Sequence, residues 1–479
     1  MLSLTRWRFL NETREILRWD DPAAERLWLY NLHYFEDLNA EDAADRRAWH
    51  EAIIARWIVE NPPGSAPGWE PYPTSLRIVN WIKFALAGNA LSPEARHSLA
   101  IQVRWLTGRL EWHLLGNHLF ANAKALVFAG LFFDGEEAEA WRLRGQRILD
   151  RELPEQILAD GGQFERSTMY HALALEDGLD LLNLARAFCR PAWAALDPAI
   201  ARMRHWLAVM SHPDGEITFF NDAAIGIAPS PAELEHYAGR LDLPPLVDPE
   251  RPIAELPASG YVRVAVGPVV ALLDMAPLGP DYLPGHGHAD TLSLELSFNG
   301  RRVVVNSGTG VYGGSPERLR QRGTRAHNTV VLNGLNSSQV WGGFRVARRA
   351  RPIDIVVQRN DDATLVAAAH DGYRHLAGNP VHRRQWRFTA DEVRIEDTIS
   401  GAFRTATAHL HFHPDIDISP RADGYQLALA DGTLLTLTTA GGNGRIAQTT
   451  WHPQFGLVVA NKSLVIEFSG ATLTTILSW

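Results

Sequence analysis

The spacing of apolar residues divides the chain into a helical first part and a strand-rich second part. Before about residue 250, apolar residues recur at helical spacing in segments separated by loops rich in Gly, Pro and Asn. Ala44 to Glu60 is one such segment, and Asn61-Pro62-Pro63-Gly64 ends it. After Gly260, short stretches alternate between apolar and polar residues, which is typical of antiparallel strands. We therefore predict two domains, covering residues 1–250 and 251–479.

Individual residues mark several helix ends in the first domain. Ser92 followed by Pro93 predicts an N-cap, and the helix after it extends to about Leu115. Thr74 is the predicted cap of the preceding helix.

Further helices are predicted from Asn117, from Ser167, and around Pro191 to Met210. Antiparallel helix pairs joined by short loops favour an (α/α) toroid or a helical array.

The clearest strand pattern lies between Leu292 and Val305. Apolar Leu292, Leu294, Leu296 and Phe298 alternate with Ser293, Glu295 and Ser297, which predicts one buried and one exposed face. The Asn299-Gly300 pair predicts a tight hairpin turn into the return strand. This hairpin places a group of polar residues near one another: His286, His288, Asp290, Asn306, Tyr312 and His327.

The remaining strands of the second domain are short and separated by turn residues, which favours an antiparallel β-sandwich. In TAHLHFHP, His409, His411 and His413 share one face. We interpret them as a solvent-side stripe, with a second metal site as the alternative.

Composition excludes several classes of protein. The 479 residues carry a net charge of −9, which argues against a general nucleic-acid or anionic-membrane binder. Cys189 is the only cysteine, so no intrachain disulfide forms and no thiolate metal site is expected. No apolar run is long enough for a membrane span. No secretory signal is visible, so we expect a cytoplasmic protein, or a periplasmic or secreted one whose leader was removed.

The type and position of several residues make them candidates for ligand binding or catalysis. His286 and His288 are one residue apart on an extended segment and point the same way, as metal ligands must, although surface histidines are the plain alternative. Asn117 and His118 open a helix, where N–H groups attract anions, although Asn is also simply a good cap. Tyr170 lies on the next-but-one helix, and a core position is its plain interpretation.

Taken together, three segments resemble the heparinase II/III family of polysaccharide lyases, which includes related alginate and glycosaminoglycan lyases. The matching segments are GNHLFANAKAL from Gly116, DGGQFERSTMYHALALEDGLDL from Asp160, and HGHADTLSLELSFNGRRVVVNSGT from His286 with TRAHNTVV after it. The resemblance implies an (α/α) toroid joined to a β-sandwich, with the active site in the cleft between them. It also implies β-elimination of a uronate-containing polysaccharide.

The resemblance assigns roles residue by residue. Asn117 and His118 fall where the family engages the substrate carboxylate, Tyr170 at the tyrosine that acts as acid, and His286 at the catalytic histidine. Tyr312 is the candidate second tyrosine. Four more residues are candidates for binding substrate. His171 and Arg166 lie in the second matching segment, and Arg77 and Trp69 lie in the upstream segment NPPGSAPGWEPYPTSLRIVNW, which also fits the family.

The family's structural metal site falls on His288, Asn306 and His327, and zinc is the ion expected there. Family members usually have Asp at the position of Asn306, and a neutral amide is a poorer zinc ligand than a carboxylate. Either Asp290 takes over that role, or hydrogen bonds alone hold the site.

Two other functions remain open. A glycoside hydrolase would need two carboxylates in one cleft, and Asp160, Glu165 and Asp222 are the candidates. A non-catalytic polysaccharide-binding protein of exopolysaccharide biosynthesis is the other alternative. The sequence names neither the uronate polymer nor the oligomeric state, nor does it separate endo from exo action.

Overall fold

A computed structural model describes residues 1–190, 193, 195–246, 251–360 and 362–479. These residues form two compact units. The first comprises Met1–Gln156 and Asp177–Pro198, and the second Ile157–Glu176 and Ala199–Trp479. The predicted domain boundary at residue 250 falls at positions 247–250, outside the described residues, and stays a prediction. None of the described helices combines the length and apolar character that crossing a membrane requires.

Helices dominate the first unit, as the apolar spacing predicts. They are α1 (Arg26–Tyr34), α2 (Arg47–Glu60), α3 (Pro71–Leu86), α4 (Pro93–Thr107), α5 (Gly116–Phe132) and α6 (Glu136–Gln156). Short 3-10 turns span Glu36–Asn39 and Ala43–Arg46. Helix α5 packs against α3, α4 and α6 and is buried along most of its length, which explains its almost wholly apolar sequence. The closed arrangement of a toroid stays a prediction.

Of the three helix ends predicted for α3 and α4, one is right and two are wrong. Ser92 caps α4, because its side chain accepts a hydrogen bond from the Ala95 N–H. The helix ends at Thr107 rather than near Leu115. Thr74 is not a cap, since α3 already begins at Pro71 and Thr74 lies buried inside it.

Three helices follow along the chain: α7 (Thr168–Ala187), α8 (Leu196–Val209) and α9 (Pro231–Arg240). The helix expected around Pro191 to Met210 corresponds to α8, and Pro191 itself lies outside the described residues. Ser230 caps α9 through a capping box with Glu233.

The second unit contains three larger antiparallel sheets within the described residues. The first has the order β3 (Ile253–Leu256), β4 (Tyr261–Val266), β5 (Val269–Asp274), β6 (Leu294–Phe298), β7 (Arg301–Val304). The next strands along the chain are β8 (Val330–Leu332), β9 (Val340–Trp341), β10 (Arg345–Val346), β11 (Pro352–Arg359), β12 (Thr364–His370), β13 (Val381–Phe388), β14 (Glu392–Ser400) and β15 (Ala406–His411). The last are β16 (Asp417–Arg421), β17 (Gly424–Ala428), β18 (Leu434–Ala440), β19 (Asn443–Trp451), β20 (Val459–Phe468) and β21 (Thr472–Ser478).

The two other large sheets have the orders β11-β12-β13-β14-β21-β18-β17-β16 and β19-β20-β15-β8. Apolar residues from all three sheets meet in one shared core, which includes Leu296, Trp386 and Leu464. This is the packing expected of a β-sandwich. The predicted fold class, helices followed by antiparallel sheets, is confirmed.

The central hairpin forms as predicted, but its polar face is not exposed. Strands β6 and β7 pair around Asn299-Gly300, and both turn residues have positive φ, at 48° and 79°. Every residue of β6 is buried, including Glu295, which accepts hydrogen bonds from the backbone N–H groups of Phe219 and Asn306. A buried carboxylate with such partners looks the same in sequence as an exposed one.

Two of the three histidines of the predicted stripe, His409 and His411, are buried on β15, which corrects their expected solvent-side position, whereas His413 follows the strand and is partly exposed. His409 and His411 are 8% and 4% exposed. The ring of His411 hydrogen-bonds to the Arg325 carbonyl, so we assign His411 a structural role.

Two elements lie outside the predicted pattern. The N-terminal strands β1 (Arg6–Phe9) and β2 (Glu12–Glu15) form a small hairpin in the helical part of the chain. In the strand-rich part, the short helix α10 (Pro316–Arg322) begins at a Ser315 cap, and a 3-10 turn at Thr324–Ala326 follows it. Neither is large enough to alter the fold class.

Candidate active site

The start of α7 fixes the position of Tyr170. The Ser167 hydroxyl accepts a hydrogen bond from the Tyr170 N–H at 3.1 Å, as an N-cap does. The same hydroxyl donates to the main-chain carbonyl of Asp222. The cap therefore ties the first turn of the helix to the loop that carries Asp222.

Tyr170, Tyr312 and His286 come together in the second unit. The two tyrosine hydroxyls lie 2.8 Å apart. The ring centres of Tyr170 and His286 are 4.0 Å apart, and those of Tyr312 and His286 are 6.0 Å apart. The side chain of His286 is 15% exposed, so its ring reaches solvent. Two tyrosine hydroxyls in mutual contact thus belong to rings that both lie beside the His286 imidazole.

Asp222 holds the imidazole of His286 in one orientation. Its carboxylate lies 2.8 Å from Nδ1 of His286 and 2.8 Å from Nε2 of His288, and it is paired with the buried Arg318 through both oxygens. Burial alone raises the pKa of a carboxyl group, but Arg318 and the two histidines hold the pKa of Asp222 well below its usual value. An ionised carboxylate only accepts hydrogen bonds, so Nδ1 of His286 carries a proton and Nε2 is left basic.

Burial also determines the state of the two tyrosines. It raises the pKa of both Tyr170 and Tyr312 well above 10, and the nearby Asp222 charge adds to the effect. Both phenols are therefore protonated at neutral pH. Nε2 of His286 lies 3.8 Å from a carboxylate oxygen of Glu165.

The predicted metal residues are also close together. Nδ1 of His288 lies 3.3 Å from Nε2 of His327. A carboxylate oxygen of Asp290 shares this point, because the ligand atoms of the three residues all lie within 4.8 Å of one another. Asn306 is placed differently, since its side-chain oxygen is 3.2 Å from Nδ1 of His327, on the far side of that ring.

This donor set suits a divalent metal ion. The Asn306 oxygen also accepts the Asn328 N–H, which fixes it as an acceptor and Nδ1 of His327 as a donor. Nε2 of His288 likewise donates to Asp222. Two imidazole lone pairs therefore face each other beside a carboxylate, the arrangement that a bound zinc ion requires. Asn306 contacts the outer nitrogen of His327, and the carboxyl group of Asp290 lies beside the two facing nitrogens.

Asn117 and His118 lie in the first unit, on the first turn of α5. Nδ1 of His118 is 3.0 Å from a carboxylate oxygen of Glu111, and the ring of Tyr72 is 4.5 Å from the His118 ring. The His118 side chain is 30% exposed, so its other face is open. The predicted convergence of these residues with Tyr170 and His286 stays a prediction.

The four candidates for binding substrate lie in the packed interior. Arg77 is fully buried and donates to Gln102 and to the carbonyls of Gly68 and His33. Trp69 is buried and stacks on Trp57. These contacts point to structural roles in the helical unit instead of substrate contact.

His171 and Arg166 are similarly enclosed. His171 is fully buried, with Nδ1 accepting the Gln163 N–H and Nε2 bonded to the Met203 carbonyl. Arg166 is 9% exposed and donates to the carbonyls of Ser259 and Phe164. Their polar atoms already have partners, so we assign them structural roles as well.

Two of the three carboxylates that a glycoside hydrolase would need are bound to other groups, and the third, Glu165, is buried beside the His286 ring. Asp160 accepts hydrogen bonds from the N–H and hydroxyl of Ser259 and from the Gly162 N–H. Asp222 is ionised and bound to Arg318. Both carboxylates are held by other groups of the protein, which disfavours the acid and base pair of a hydrolase.

Three residues of the site were missed or misassigned from sequence. Asp222 was considered only as a hydrolase carboxylate, and Arg318 and Glu111 were not considered. The order Asn221-Asp222 at the end of an apolar stretch was the available signal for Asp222. Arg318 lies on a short helix inside a loop, where no periodic pattern marks it.

Comparisons with known proteins cover most of the chain. Residues 48–237 match the family description Heparinase II/III N-terminus, and residues 248–479 match Heparinase II/III-like, C-terminal. The chain is 29% identical over 267 residues to heparin-sulfate lyase of Bacteroides stercoris, which covers 51% of this chain and 40% of that protein. It is 25% identical over 438 residues to FtsZ-localized protein C of Caulobacter vibrioides, covering 85% of this chain and 73% of that protein.

Among solved structures, heparinase III superposes with a TM-score of 0.77 at 18% identity. The superposition covers 96% of this chain and 79% of that one. At this identity the likeness is one of fold, and function rests on the site itself.

Proposed function

This chain belongs to the heparinase II/III-like family, and from that premise we propose that it is a polysaccharide lyase acting on a uronate-containing acidic polysaccharide. The observation that carries the proposal is the meeting of the Tyr170 and Tyr312 hydroxyls with a His286 ring whose tautomer Asp222 fixes. β-Elimination needs a base, an acid and neutralisation of the uronate carboxylate. These residues supply the first two.

In the proposed reaction, Nε2 of His286 takes the proton from C5 of the uronate. The electron pair released forms the C4–C5 double bond, and the bond from C4 to the glycosidic oxygen breaks. Tyr170 donates its phenolic proton to that leaving oxygen. The raised pKa of Tyr170 suits a proton donor and disfavours the base role that tyrosine takes in some family members.

The substrate carboxylate is assigned to Asn117 and His118, as the family resemblance implies. His118 is held by Glu111 and is partly exposed, which supports a role in contacting an anion. Neutralising the carboxylate makes the C5 proton more acidic and stabilises the charge that develops there.

A panel of uronate polysaccharides tests the proposal. The protein is incubated with hyaluronan, chondroitin, heparan sulfate, heparin and alginate, and the ultraviolet absorbance of an unsaturated uronate is followed. A lyase produces that absorbance. New reducing ends without absorbance would indicate a hydrolase, and binding without either product would indicate the non-catalytic alternative, for which the match to an FtsZ-localized protein is the support.

We also propose that His288, His327 and Asp290 hold a structural zinc ion, with Asn306 orienting His327. Such an ion would cross-link two loops of the second unit. Chelation should then lower the melting temperature, and added zinc should restore it. A protein that contains no metal by elemental analysis, and that melts at the same temperature with and without chelator and zinc, would contradict this assignment.

A further inference from the structure

A short hairpin of exposed side chains lies beside the candidate active site. Strands β9 and β10 pair, and Gly342, Gly343 and Phe344 join them. The Phe344 ring centre is 5.9 Å from that of His286 and 5.2 Å from that of Tyr312. Gly343 lies so close to the Gly313 backbone that a side chain there would collide with it. The hairpin therefore rests on the loop that carries Tyr312.

The hairpin exposes two large aromatic side chains. Trp341 is 55% exposed and Phe344 is 43% exposed. Trp341 and Arg345 are cross-strand partners, so their side chains share one face, and the guanidinium carbon of Arg345 lies 5.9 Å from the centre of the Trp341 ring. Aromatic rings beside a charged group are well suited to an amphipathic ligand such as a sugar.

The segment that contains the hairpin is locally basic in an acidic protein. Arg349 and Arg351 are paired with Asp281 at 2.8 Å and 3.1 Å. Arg345 and Arg348 are exposed, and in the part of the chain that the structure describes no carboxylate forms an ion pair with either. With a net charge of −9 overall, this exposed positive charge is a local attraction for an anion.

Two buried arginines hold the hairpin in place through hydrogen bonds to its main-chain carbonyls. Arg318 donates to the Gly343 carbonyl at 3.0 Å, and Arg322 donates to the carbonyls of Gly342 and Arg345 at 3.2 Å and 3.4 Å. Arg318 is the same residue that pairs with Asp222. The hairpin is therefore fixed relative to His286 before any ligand binds, which lowers the entropic cost of binding.

We propose that this hairpin, residues 340–346, binds the sugar next to the uronate that reacts. Trp341 and Phe344 stack on pyranose faces, and Arg345 binds an anionic group, either sulfate or carboxylate, which a guanidinium contacts through two parallel N–H donors. The inference rests on the proposed lyase function for the identity of the neighbouring uronate. The proposed contact with Arg345 requires that the sugar next to the reacting uronate also carries an anionic group.

The test compares Arg345→Gln and Trp341→Ala with the unmodified protein. Dissociation constants are measured by calorimetry for heparin, which is sulfated, and for hyaluronan, which carries only carboxylates. KM and kcat are measured on the polymer that gives most unsaturated product. Each substitution should raise Kd and KM about tenfold, because a charge-assisted contact or a stacked ring is lost. The effect of Arg345→Gln should shrink as salt is added.

Arg359→Gln and Trp49→Ala are matched controls, since both residues are exposed and neither belongs to the hairpin. If Arg345→Gln weakens binding of heparin alone, Arg345 binds sulfate. If it weakens binding of both polymers, Arg345 binds carboxylate. Unsaturated product with unchanged Kd and KM in both hairpin variants overturns the hairpin site but not the lyase. Hairpin-dependent binding without product contradicts the lyase and leaves the hairpin site standing. A protein that neither binds nor cleaves either polymer overturns both.

Discussion

Tyr170 offers the sharpest test of the chemistry, because its hydroxyl can be removed while its ring stays. Tyr170→Phe keeps the stacking on His286 and deletes the hydrogen bond to Tyr312. We expect kcat to fall by at least about 100-fold, the usual contribution of general acid catalysis. The free energy of unfolding should fall by only about 1 kcal/mol.

The control is Tyr373→Phe, which removes a buried hydroxyl bonded to the Val330 carbonyl away from the site. It should lose similar stability and keep its activity. If Tyr170→Phe forms unsaturated product at the rate of the unmodified protein, the acid is another group, and Tyr312 is the next candidate.

Asp222 is expected to matter for both activity and stability. Asp222→Asn leaves the buried Arg318 charge without its counter-ion and removes the constraint on the His286 tautomer. We expect the free energy of unfolding to drop by roughly 3–5 kcal/mol, as for other broken buried ion pairs. In the fraction that remains folded, kcat should fall and its pH profile should shift.

Asp397→Asn provides the comparison, since Asp397 pairs with the buried Arg384 and His382 in a different part of the sheets. It should destabilise the protein to a similar extent without changing the pH profile of kcat. An Asp222→Asn variant with an unchanged pH profile would show that the carboxylate supports only the fold.

The reacting groups are easier to predict from the sequence than the groups that orient them. Tyr170, Tyr312 and His286 belong to segments with a family resemblance, and the structure brings them together. Asp222 lies in irregular chain, and its partners come from 64 to 96 residues away. Such long-range pairing leaves no periodic trace in sequence.

At the scale of elements, the strained residue before α5 makes a distinct prediction. Leu115 has φ 58° and ψ −153°, a region that costs a non-glycine residue about 1–3 kcal/mol. Leu115→Gly should therefore melt at or above the temperature of the unmodified protein, despite the lost side chain and the added chain entropy of glycine. Leu114→Gly is the control at an unstrained neighbouring position and should lower the melting temperature. Equal destabilisation by both would show that no strain is present.

Element predictions succeeded where a local signal decided the structure. Asn299-Gly300 correctly predicted the β6–β7 turn, and Ser92 correctly predicted the start of α4. Turns and helix caps depend on interactions within a few residues, so they can be recognised in the sequence. The exposed faces assigned to Glu295 and His411 were wrong because tertiary packing covers both. Alternating polarity shows that a strand has two faces, but it does not show what packs on the polar one.

At the scale of the whole molecule, buried neutral histidines predict sensitivity to acid. Burial lowers the pKa of His33 and His409 to about 3, and of His171 and His411 to about 4. In His33 and His171 one ring nitrogen accepts an N–H, from Trp57 and Gln163 respectively, so protonation would break that bond. The unfolded chain takes up these protons near pH 6.5, and the folded chain does not.

Stability from these groups is thus present above pH 6.5 and is lost as the pH falls toward 4. Between pH 7 and pH 5, each such histidine should lower the free energy of unfolding by about 2 kcal/mol. Buried carboxyl groups act in the opposite direction, because burial raises the pKa of Glu295 to about 7 and also raises that of Asp274 and Asp290. Among the described residues, the histidines whose pKa is lowered outnumber the carboxyl groups whose pKa is raised. Urea unfolding at pH 7, 6 and 5 should show a falling free energy, and a constant or rising value would refute the prediction.

The way the β9–β10 hairpin is attached has a consequence for how recognition can change. Arg318 and Arg322 hold it by main-chain carbonyls, so its position does not depend on which side chains it displays. Substitutions at positions 341 and 345 can alter what is recognised without moving the scaffold, whereas Phe344 also contacts the His286 and Tyr312 rings. The hairpin is therefore a natural place to randomise in a directed-evolution library aimed at new polymer preferences.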